Sequence, residues 1–222
     1  MLEQKTNGKK AKIVIVDDHP IVRQGISQLV NQESDLEICC QAGDMDSALG
    51  AMAACKHAMA IVDISLAGVS GIELIKAARV KHPDLPVLVM SMHDESLYTE
   101  RALRAGARGY IMKQEATEKI LTAIRQILAG EIYVSDKMRS TMLQRIIDNR
   151  VDADASPVAG LSDRELEVLR LIGRGYGTSE IAEEIHRSVK TVEAHRANIK
   201  EKLKLKHSSD LLQWAIAWTH NH

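Results

Sequence analysis

The chain has 222 residues, so one or two domains are expected, each with enough apolar material for its own core. Apolar residues make up 45% and charged residues 27%, which argues against disordered, collagen-like and coiled-coil classes, and the absence of phenylalanine argues against a stacking platform for single-stranded nucleic acid. The formal net charge is −1, but positions 187–206 carry seven basic and two acidic residues.

Short apolar runs alternate with amphipathic helical patterns over the first part of the chain. The runs are continuous, which is typical of strands that are covered by helices on both faces. The predicted strands cover 13–16, 36–42, 60–62, 87–90 and 109–112, and the predicted helices cover 21–32, 46–55, 71–82, 96–105 and 116–129. Five such units predict an α/β fold with a doubly wound, five-stranded parallel sheet of the flavodoxin-like class.

The strand patterns stop after residue 130. A helix is predicted over 135–149, and the polar, proline-containing segment 148–160 has the composition of a linker. Four helices follow over 162–172, 178–185, 189–204 and 208–219, the first opened by a capping box of Ser162 and Glu165. We therefore expect an N-terminal tail (1–11), an α/β domain (12–130), a linker with a helix (131–160) and a small all-α domain (161–222).

The cellular location is expected to be the cytoplasm. Cys39, Cys40 and Cys55 are too few and too badly spaced for a disulfide framework or a zinc site, and they fall in segments that are expected to be buried. The polar N-terminus leads only into a short apolar run that ends at two aspartates, which is no signal peptide. No uncharged apolar stretch approaches the roughly 18 residues of a membrane span, so no membrane partner is expected.

Polar residues stand at the carboxyl ends of four predicted strands. Asp17 and Asp18 follow the first strand, Asp63 the third, Ser91 the fourth and Lys113 the fifth. Each alone is an ordinary turn former, but together they lie where open parallel sheets bind ligands. Crowded carboxylates either raise their pKa values or bind a hard divalent cation such as Mg²⁺. With that charge balanced, one carboxylate can attack phosphorus beside the Lys113 cation and the Ser91 hydroxyl, so the cluster fits an aspartyl phosphate.

The segments VDDHP, AIVDISLAGVSG, VMSMHDE and GARGYIMK resemble the receiver domain of two-component response regulators. The resemblance implies that Asp63 is the phospho-acceptor. It implies a Mg²⁺ site made by Asp63, by Asp18 directly, by Asp17 through water, and by the backbone carbonyl of Ser65.

The same resemblance implies further roles at the site. Ser91, Lys113 and Tyr110 would contact the phosphoryl group or switch with it, and Ser65 and His93 would tune its lifetime. For Tyr110, an aromatic side chain simply packed on the sheet is the alternative. His93, like His19, is otherwise interpreted as a loop residue and not as a catalytic base.

Residues 178–197 fit a helix-turn-helix frame. Apolar stripes give the first helix its core face at Ile181 and Ile185, and the second helix at Val192, Ile199 and Leu203. The opposite face of the second helix would look into a DNA major groove and carries Lys190, Glu193, Ala194 and Ala197. Packing of three helices without DNA fits the periodicity equally well.

The stretch LSDRELEVLRLIGRGYGTSEIAEEI, followed by HRSVKTVEAHRANIKEKLKLK, is similar to the LuxR-type helix-turn-helix, so the chain resembles a NarL/FixJ-type response regulator. This implies base contacts near Glu193, Ala194 and Ala197. It implies DNA-backbone contacts from Thr178, Lys190, Thr191, Arg196 and Lys200. It also implies a homodimer formed by the last helix at Leu211, Leu212, Ala215 and Ile216, positions that are otherwise plain core.

The expected function is that of a two-component transcriptional regulator that is phosphorylated on Asp63 by a sensor histidine kinase and binds promoter DNA as a dimer. No enzymatic activity is expected beyond its own phosphoryl transfer and autodephosphorylation. One alternative is a DNA-binding regulator that never uses phosphorylation and is always dimeric. The other, an aspartyl-phosphate phosphohydrolase, is disfavoured because Ile64 and Ser65 follow Asp63 where a second acid is needed two residues on.

Overall fold

The computed structural model describes residues 10–66, 69–92, 95–147 and 157–220. The chain divides into two compact units, Met1–Arg139 and Ser140–His222. Within the described residues, no helix is both long enough and apolar enough to cross a membrane.

The N-terminal unit is built on a five-stranded parallel sheet in the order β2-β1-β3-β4-β5. Its strands are β1 (Ala11–Val16), β2 (Leu36–Ala42), β3 (Met59–Asp63), β4 (Val87–Ser91) and β5 (Gly109–Met112). Its helices are α1 (Pro20–Asn31), α2 (Met45–Ala54), α3 (Gly71–Lys81), α4 (Glu95–Ala105) and α5 (Lys113–Leu128). A further helix, α6 (Asp136–Ile147), follows. The predicted fold class is confirmed.

The three interior strands are buried over most or all of their length because helices cover both faces of the sheet. Every residue of β3 and β4 is buried, as are the last four residues of β1. Helix α5 begins at Lys113, three residues before its predicted start at 116. Its first turn, Lys-Gln-Glu, carries no apolar residue, so the apolar stripe that marks the helix in the sequence begins only at Ala116.

Four further helices follow in the described part of the C-terminal unit, as predicted. They are α7 (Asp163–Gly173), α8 (Thr178–Glu184), α9 (Val189–Lys202) and α10 (Ser208–His220), and a short 3₁₀ turn, Pro157–Gly160, precedes them. Helix α9 ends two residues before its predicted end at 204, and Lys204 has a left-handed backbone with φ of 55°.

A close helix crossing holds α7 against α10. The last residue of α7 is Gly173, and a Cβ atom placed there would lie 2.0 Å from Thr219 Oγ1 and 2.5 Å from the Ala215 carbonyl oxygen. Only glycine allows the two backbones to approach this closely. The glycine that the sequence places at a helix end therefore also sets how α7 and α10 pack in the C-terminal unit.

Candidate functional sites

The polar cluster of the N-terminal unit lies at the carboxyl ends of the parallel strands. Asp17 follows β1, Asp63 ends β3, Ser91 ends β4, and Lys113 follows β5 as the first residue of α5. Asp17, Asp63 and Ser91 are all buried. Because parallel strands end at the same edge of a sheet, four distant parts of the sequence meet here.

Lys113 holds the two buried carboxylates together. Its ammonium nitrogen lies 2.7 Å from Asp63 Oδ2 and 2.7 Å from Asp17 Oδ2. Only about a tenth of the Lys113 side chain is exposed, so these ion pairs are shielded from solvent. The lysine thus balances part of the charge of a cluster that would otherwise repel itself.

The ionisation of the site follows from this arrangement. Burial raises the pKa of Asp63 to about 6; the Lys113 ammonium opposes that rise and the Asp17 carboxylate adds to it. Burial works to lower the pKa of Lys113, but the two carboxylates outweigh it and raise that pKa. At neutral pH Asp63 is therefore mostly an ionised carboxylate, able to act as a nucleophile, and Lys113 is a fixed cation.

The donor set fits a hard divalent cation. Carboxylate oxygens of Asp17, Asp18 and Asp63, with one ring nitrogen of His19, lie within 4.8 Å of one another. Oxygen ligands are those that Mg²⁺ prefers. Asp18 is the least buried of the three aspartates.

Two residues with contacts at this edge, His19 and Arg23, were not identified from the sequence. The Nδ1 atom of His19 lies 2.6 Å from Asp18 Oδ1 and 3.3 Å from Asp17 Oδ1, and Arg23 Nη1 donates to the main-chain carbonyl of Asp17. The interpretation of His19 as a loop residue agrees with its place immediately before α1, but its ring also contacts the acidic cluster. The only sequence signal for either contact is proximity to Asp17.

The loop after Asp63 is held against the strand end. The Ser65 N–H donates to Asp63 Oδ1 at 3.2 Å. Gly71, the first residue of α3, packs on the Asp63 backbone, and a Cβ atom placed there would lie 1.9 Å from the Asp63 carbonyl oxygen. Any side chain at position 71 would displace this backbone, so the glycine fixes how α3 approaches Asp63.

The remaining predicted residues of this site are placed as follows. Tyr110 is buried on β5, and its strand pairs with β4, which ends at Ser91. Ser65 is half-buried and forms an isolated β-bridge with Ser70. His93 lies outside the described residues.

The second candidate site is the outer face of α8 and α9. The apolar face of the helix pair is buried at Ile181, Ile185, Val192 and Ile199, and Leu203 is half-buried. The predicted groove-facing residues Lys190, Glu193, Ala194 and Ala197 are all exposed. Four residues predicted to contact the DNA backbone flank this exposed face and are half-buried: Thr178, Thr191, Arg196 and Lys200.

Helix α9 begins with a side-chain cap. The Thr191 N–H donates to Ser188 Oγ at 3.1 Å, and the two hydroxyl oxygens lie 2.8 Å apart. Part of the hydrogen-bonding capacity of Thr191 therefore serves the helix start. Arg187 lies half-buried in the turn between α8 and α9, beside His186, whose backbone is left-handed with φ of 52°.

The last helix, α10, divides its apolar residues between two environments. Leu211 and Ala215 are fully buried within the C-terminal unit, whereas Leu212 and Ile216 are 43% and 41% exposed. Leu211 and Ala215 therefore belong to the hydrophobic core, and Leu212 and Ile216 provide an apolar surface.

One family model matches each of the two units. The family model for the response regulator receiver domain matches residues 13–125, and the model for bacterial regulatory proteins of the luxR family matches residues 159–215. The oxygen regulatory protein NreC of Staphylococcus haemolyticus is 38% identical over 209 residues, which cover 92% of this chain and 96% of that protein. NreC of Staphylococcus carnosus shows the same identity and coverage.

Solved structures give the same result. The RcsB response regulator of Salmonella typhimurium, in a study of its conformational dynamism for DNA interaction, superposes with a TM-score of 0.63 at 26% identity, covering 95% of this chain and 98% of that one. RcsB of Salmonella enterica serovar Typhimurium, bound to a promoter in the presence of the phosphomimetic BeF3-, has a TM-score of 0.58 at 26% identity, covering 93% and 98%. The chain therefore belongs to the two-component response regulators that combine a receiver domain with a LuxR-type DNA-binding domain. Its family is one of DNA-binding transcription regulators.

Proposed function

We propose that this regulator is switched by phosphorylation of Asp63 by a sensor histidine kinase. The observation that carries the proposal is the buried Asp63 carboxylate, held 2.7 Å from Lys113 in a cluster with Asp17 and Asp18 at the carboxyl edge of the sheet. We further propose that residues 12–130 form the receiving domain, 131–160 the connection and 161–222 the DNA-binding domain.

The chemistry is an in-line phosphoryl transfer. A carboxylate oxygen of Asp63 forms a bond to phosphorus while the bond from phosphorus to the kinase histidine nitrogen breaks, and that nitrogen keeps the bonding electron pair. Asp17, Asp18, Asp63 and the backbone carbonyl of Ser65 would hold Mg²⁺. When bound, Mg²⁺ offsets negative charge on the phosphoryl oxygens. Lys113 adds a fixed cation to the same edge, and water later hydrolyses the acyl phosphate at a rate that Ser65 and His93 tune.

The switch is proposed to act through the strand ends beside Asp63. A phosphoryl group adds about 1.5 to 2 negative charges and three strong acceptor oxygens. The Ser91 hydroxyl is drawn towards these oxygens, and the buried Tyr110 follows on the neighbouring strand. Turning a mostly inactive population into a mostly active one needs about 5.5 kcal/mol of differential stabilisation, much of which charge-assisted hydrogen bonds to one buried group can supply.

The first test is the intact mass of the protein after incubation with Mg²⁺ and acetyl phosphate. Wild type is expected to gain one phosphoryl group and to shift towards a dimer in size-exclusion chromatography. Asp63→Asn is expected to gain none because the nucleophilic carboxylate is absent. The matched control is Asp84→Asn, which changes an exposed aspartate in the loop before β4 and should behave like wild type.

Other outcomes of this test favour the alternatives. Phosphorylation of Asp63→Asn would place the acceptor elsewhere. A protein that is dimeric from the start and accepts no phosphoryl group from acetyl phosphate, a phosphoramidate or a kinase would favour the phosphorylation-independent regulator. Continuous release of phosphate from added phosphomonoesters would favour the phosphohydrolase.

DNA binding is proposed to use the exposed face of α9. Glu193 can accept a hydrogen bond from a cytosine amino group, and Ala194 and Ala197 allow close apolar contact with base edges. The predicted DNA-backbone contacts come from Thr178, Lys190, Thr191, Arg196 and Lys200. We propose that the homodimer forms on the exposed residues of α10, Leu212 and Ile216, so that two α9 helices reach two half-sites.

Lys190→Ala is expected to raise the Kd for duplex DNA by about 3- to 10-fold and to reduce the salt dependence of log K by about one unit, because one phosphate contact is lost. The measurement is a fluorescence anisotropy titration with random-sequence duplex DNA at several salt concentrations. Lys81→Ala, which removes an exposed lysine at the end of α3, is the control and should leave both quantities unchanged. Equal behaviour of the two variants would remove Lys190 from the DNA interface.

A further inference from the structure

Three cysteines and one histidine meet at the edge of the sheet, away from the phosphorylation site. Cys39 and Cys40 lie on the edge strand β2, Cys55 directly follows α2, and His57 lies shortly before β3. The three cysteines are half-buried and His57 is buried. We call Cys39, Cys40, Cys55 and His57 the thiol cluster.

From their number and their spacing along the chain these cysteines are not expected to form a zinc site, but the fold brings their side chains together. One ligand atom from each of the four residues lies within 4.8 Å of all the others. The Sγ atoms of Cys40 and Cys55 are 4.0 Å apart, and Cys55 Sγ lies 3.2 Å from His57 Nε2. The cysteines are also half-buried and not fully buried as expected.

A break in strand register explains how two adjacent residues join one cluster. Successive side chains of a regular strand point to opposite faces, which would separate Cys39 from Cys40. Here Ile13 of β1 pairs with Ile38 whereas Val14 pairs with Cys40, so Cys39 is an extra residue in a β-bulge. A bulge redirects side chains, and this one leaves both thiols beside Cys55.

Two separations within the thiol cluster can be compared with those of a tetrahedral metal site. Zinc lies about 2.3 Å from thiolate sulfur and about 2.0 to 2.1 Å from imidazole nitrogen, so tetrahedral geometry separates two sulfurs by about 3.8 Å, and sulfur from nitrogen by about 3.5 Å. The distances between Cys40 and Cys55 and between Cys55 and His57 lie close to these values. We propose that the thiol cluster binds one thiophilic transition-metal ion, with Zn²⁺ as the best match to three thiolates and one imidazole.

A disulfide is a poorer account of the same residues. A bond between Cys40 and Cys55 would need their sulfur atoms, now 4.0 Å apart, to approach to about 2.05 Å. Such a disulfide would also not involve Cys39 or His57, although both side chains lie in the cluster. A metal uses all four groups and joins β2, the end of α2 and the start of β3.

The thiol cluster lies at the opposite end of β1 from the acidic cluster around Asp63. Cys39 Sγ lies 3.6 Å from the Ile13 carbonyl oxygen, and the Ala58 N–H, next to His57, donates to the Lys12 carbonyl oxygen. Both contacts are with the first half of β1, whereas the acidic cluster lies beyond the other end of that strand. Variants of either site can therefore be tested against the other.

The proposal is tested by titrating the reduced, metal-free full-length protein with Co²⁺ in excess Mg²⁺, and then displacing Co²⁺ with Zn²⁺. Wild type is expected to bind one Co²⁺ per chain with a thiolate-to-cobalt charge-transfer absorption, which Zn²⁺ removes. Cys40→Ser, Cys55→Ser and His57→Gln should each weaken binding by about 100-fold or more, since loss of even an outer-shell partner costs about 10- to 100-fold. His207→Gln, which changes an exposed histidine before α10, and Asp63→Asn should bind as wild type does.

A second measurement covers variants whose affinity changes for structural reasons. Far-UV circular dichroism in the absence of metal identifies any variant that has not folded, and Zn²⁺ should raise the Tm of wild type but not of Cys55→Ser. Reduced, folded wild type that shows no thiolate-to-cobalt absorption would overturn the proposal. So would full retention of that absorption in Cys40→Ser and Cys55→Ser, or its loss in Asp63→Asn alone.

Discussion

Asp63→Asn is expected to raise the free energy of unfolding of the N-terminal unit by about 3 kcal/mol at pH 7 in EDTA, although it removes the proposed phospho-acceptor. The buried Asp63 has a pKa of about 6, whereas an unfolded aspartate has a pKa of about 3.9. The folded state therefore resists ionisation of this side chain. Asparagine occupies similar space and carries no charge, so the cost of ionising position 63 disappears.

The direction of the pH dependence follows from the raised pKa. Above about pH 6 both states hold an ionised Asp63, and wild type bears the full penalty. As the pH falls from about 6 to about 4, the folded protein takes up the proton first, so the penalty shrinks and then vanishes. The advantage of Asp63→Asn should therefore be large at neutral pH and close to zero below about pH 4.

Urea unfolding followed by far-UV circular dichroism measures this effect. The two tryptophans of the chain, Trp214 and Trp218, both lie in α10, so tryptophan fluorescence marks unfolding of the C-terminal unit separately. The control Asp84→Asn changes an exposed aspartate and should shift stability by no more than about 0.5 kcal/mol. If Asp63→Asn were no more stable than this control at pH 7, burial would not be setting the ionisation of Asp63.

A stabilising Asp63→Asn would place this site among those where function conflicts with stability. Three carboxylates are held together, two of them buried, with Lys113 as the cation that contacts both buried ones. Such a cluster lowers the free energy of unfolding, but it provides the negative charge that binds a divalent cation. Polar groups that break the ordinary rules of burial are expected at functional sites more than elsewhere.

The sequence predicted the acidic cluster because topology brings its members together. Asp17, Asp63, Ser91 and Lys113 each stand at a strand end, and parallel strands require no knowledge of side-chain conformation to align those ends. The ring contacts of His19 and the bond from Arg23 to Asp17 depend instead on side-chain conformations in one loop and one helix, so the pattern of residue types gives no sign of them.

The thiol cluster shows a second limit of sequence-based prediction. Its residues are separated by a strand, a helix and a register shift, and the bulge at Cys39 depends on how β2 pairs with β1. Period-two patterning places Cys39 and Cys40 on opposite faces, which is the wrong result here. Likewise, periodicity identified the apolar face of α10 but could not divide it into the buried Leu211 and the exposed Leu212.

Glu165→Ala is expected to lower the free energy of unfolding of the C-terminal unit by about 2 to 3 kcal/mol, because two interactions of a buried carboxylate are lost. Glu165 Oε2 accepts from the Ser162 N–H at 2.7 Å, which completes the predicted capping box of α7, and from Lys202 Nζ at 2.7 Å. Lys202 is the last residue of α9. The glutamate thus ties the start of α7 to the end of the proposed recognition helix.

The comparison variant is Glu180→Ala, which removes the equivalent glutamate at the start of α8. Glu180 Oε2 accepts from the Gly177 N–H at 2.6 Å, but this box is exposed. Its loss should cost about 1 kcal/mol or less. Urea unfolding followed by tryptophan fluorescence reads both variants from α10, which packs on α7.

The pH dependence separates the Glu165 carboxylate from simple packing. Burial works to raise the pKa of Glu165, but the bonds from Lys202 and Ser162 outweigh it and hold that pKa below its ordinary value. The stability gained from ionised Glu165 is therefore present above about pH 4.3 and is lost as the pH falls further, through the lower pKa of the folded state. Glu165→Gln should lose that part of the pH dependence while keeping the side-chain volume. Equal losses in Glu165→Ala and Glu180→Ala, with unchanged pH profiles, would mean that the link to Lys202 does not stabilise the unit, and that α9 is positioned by its apolar face alone.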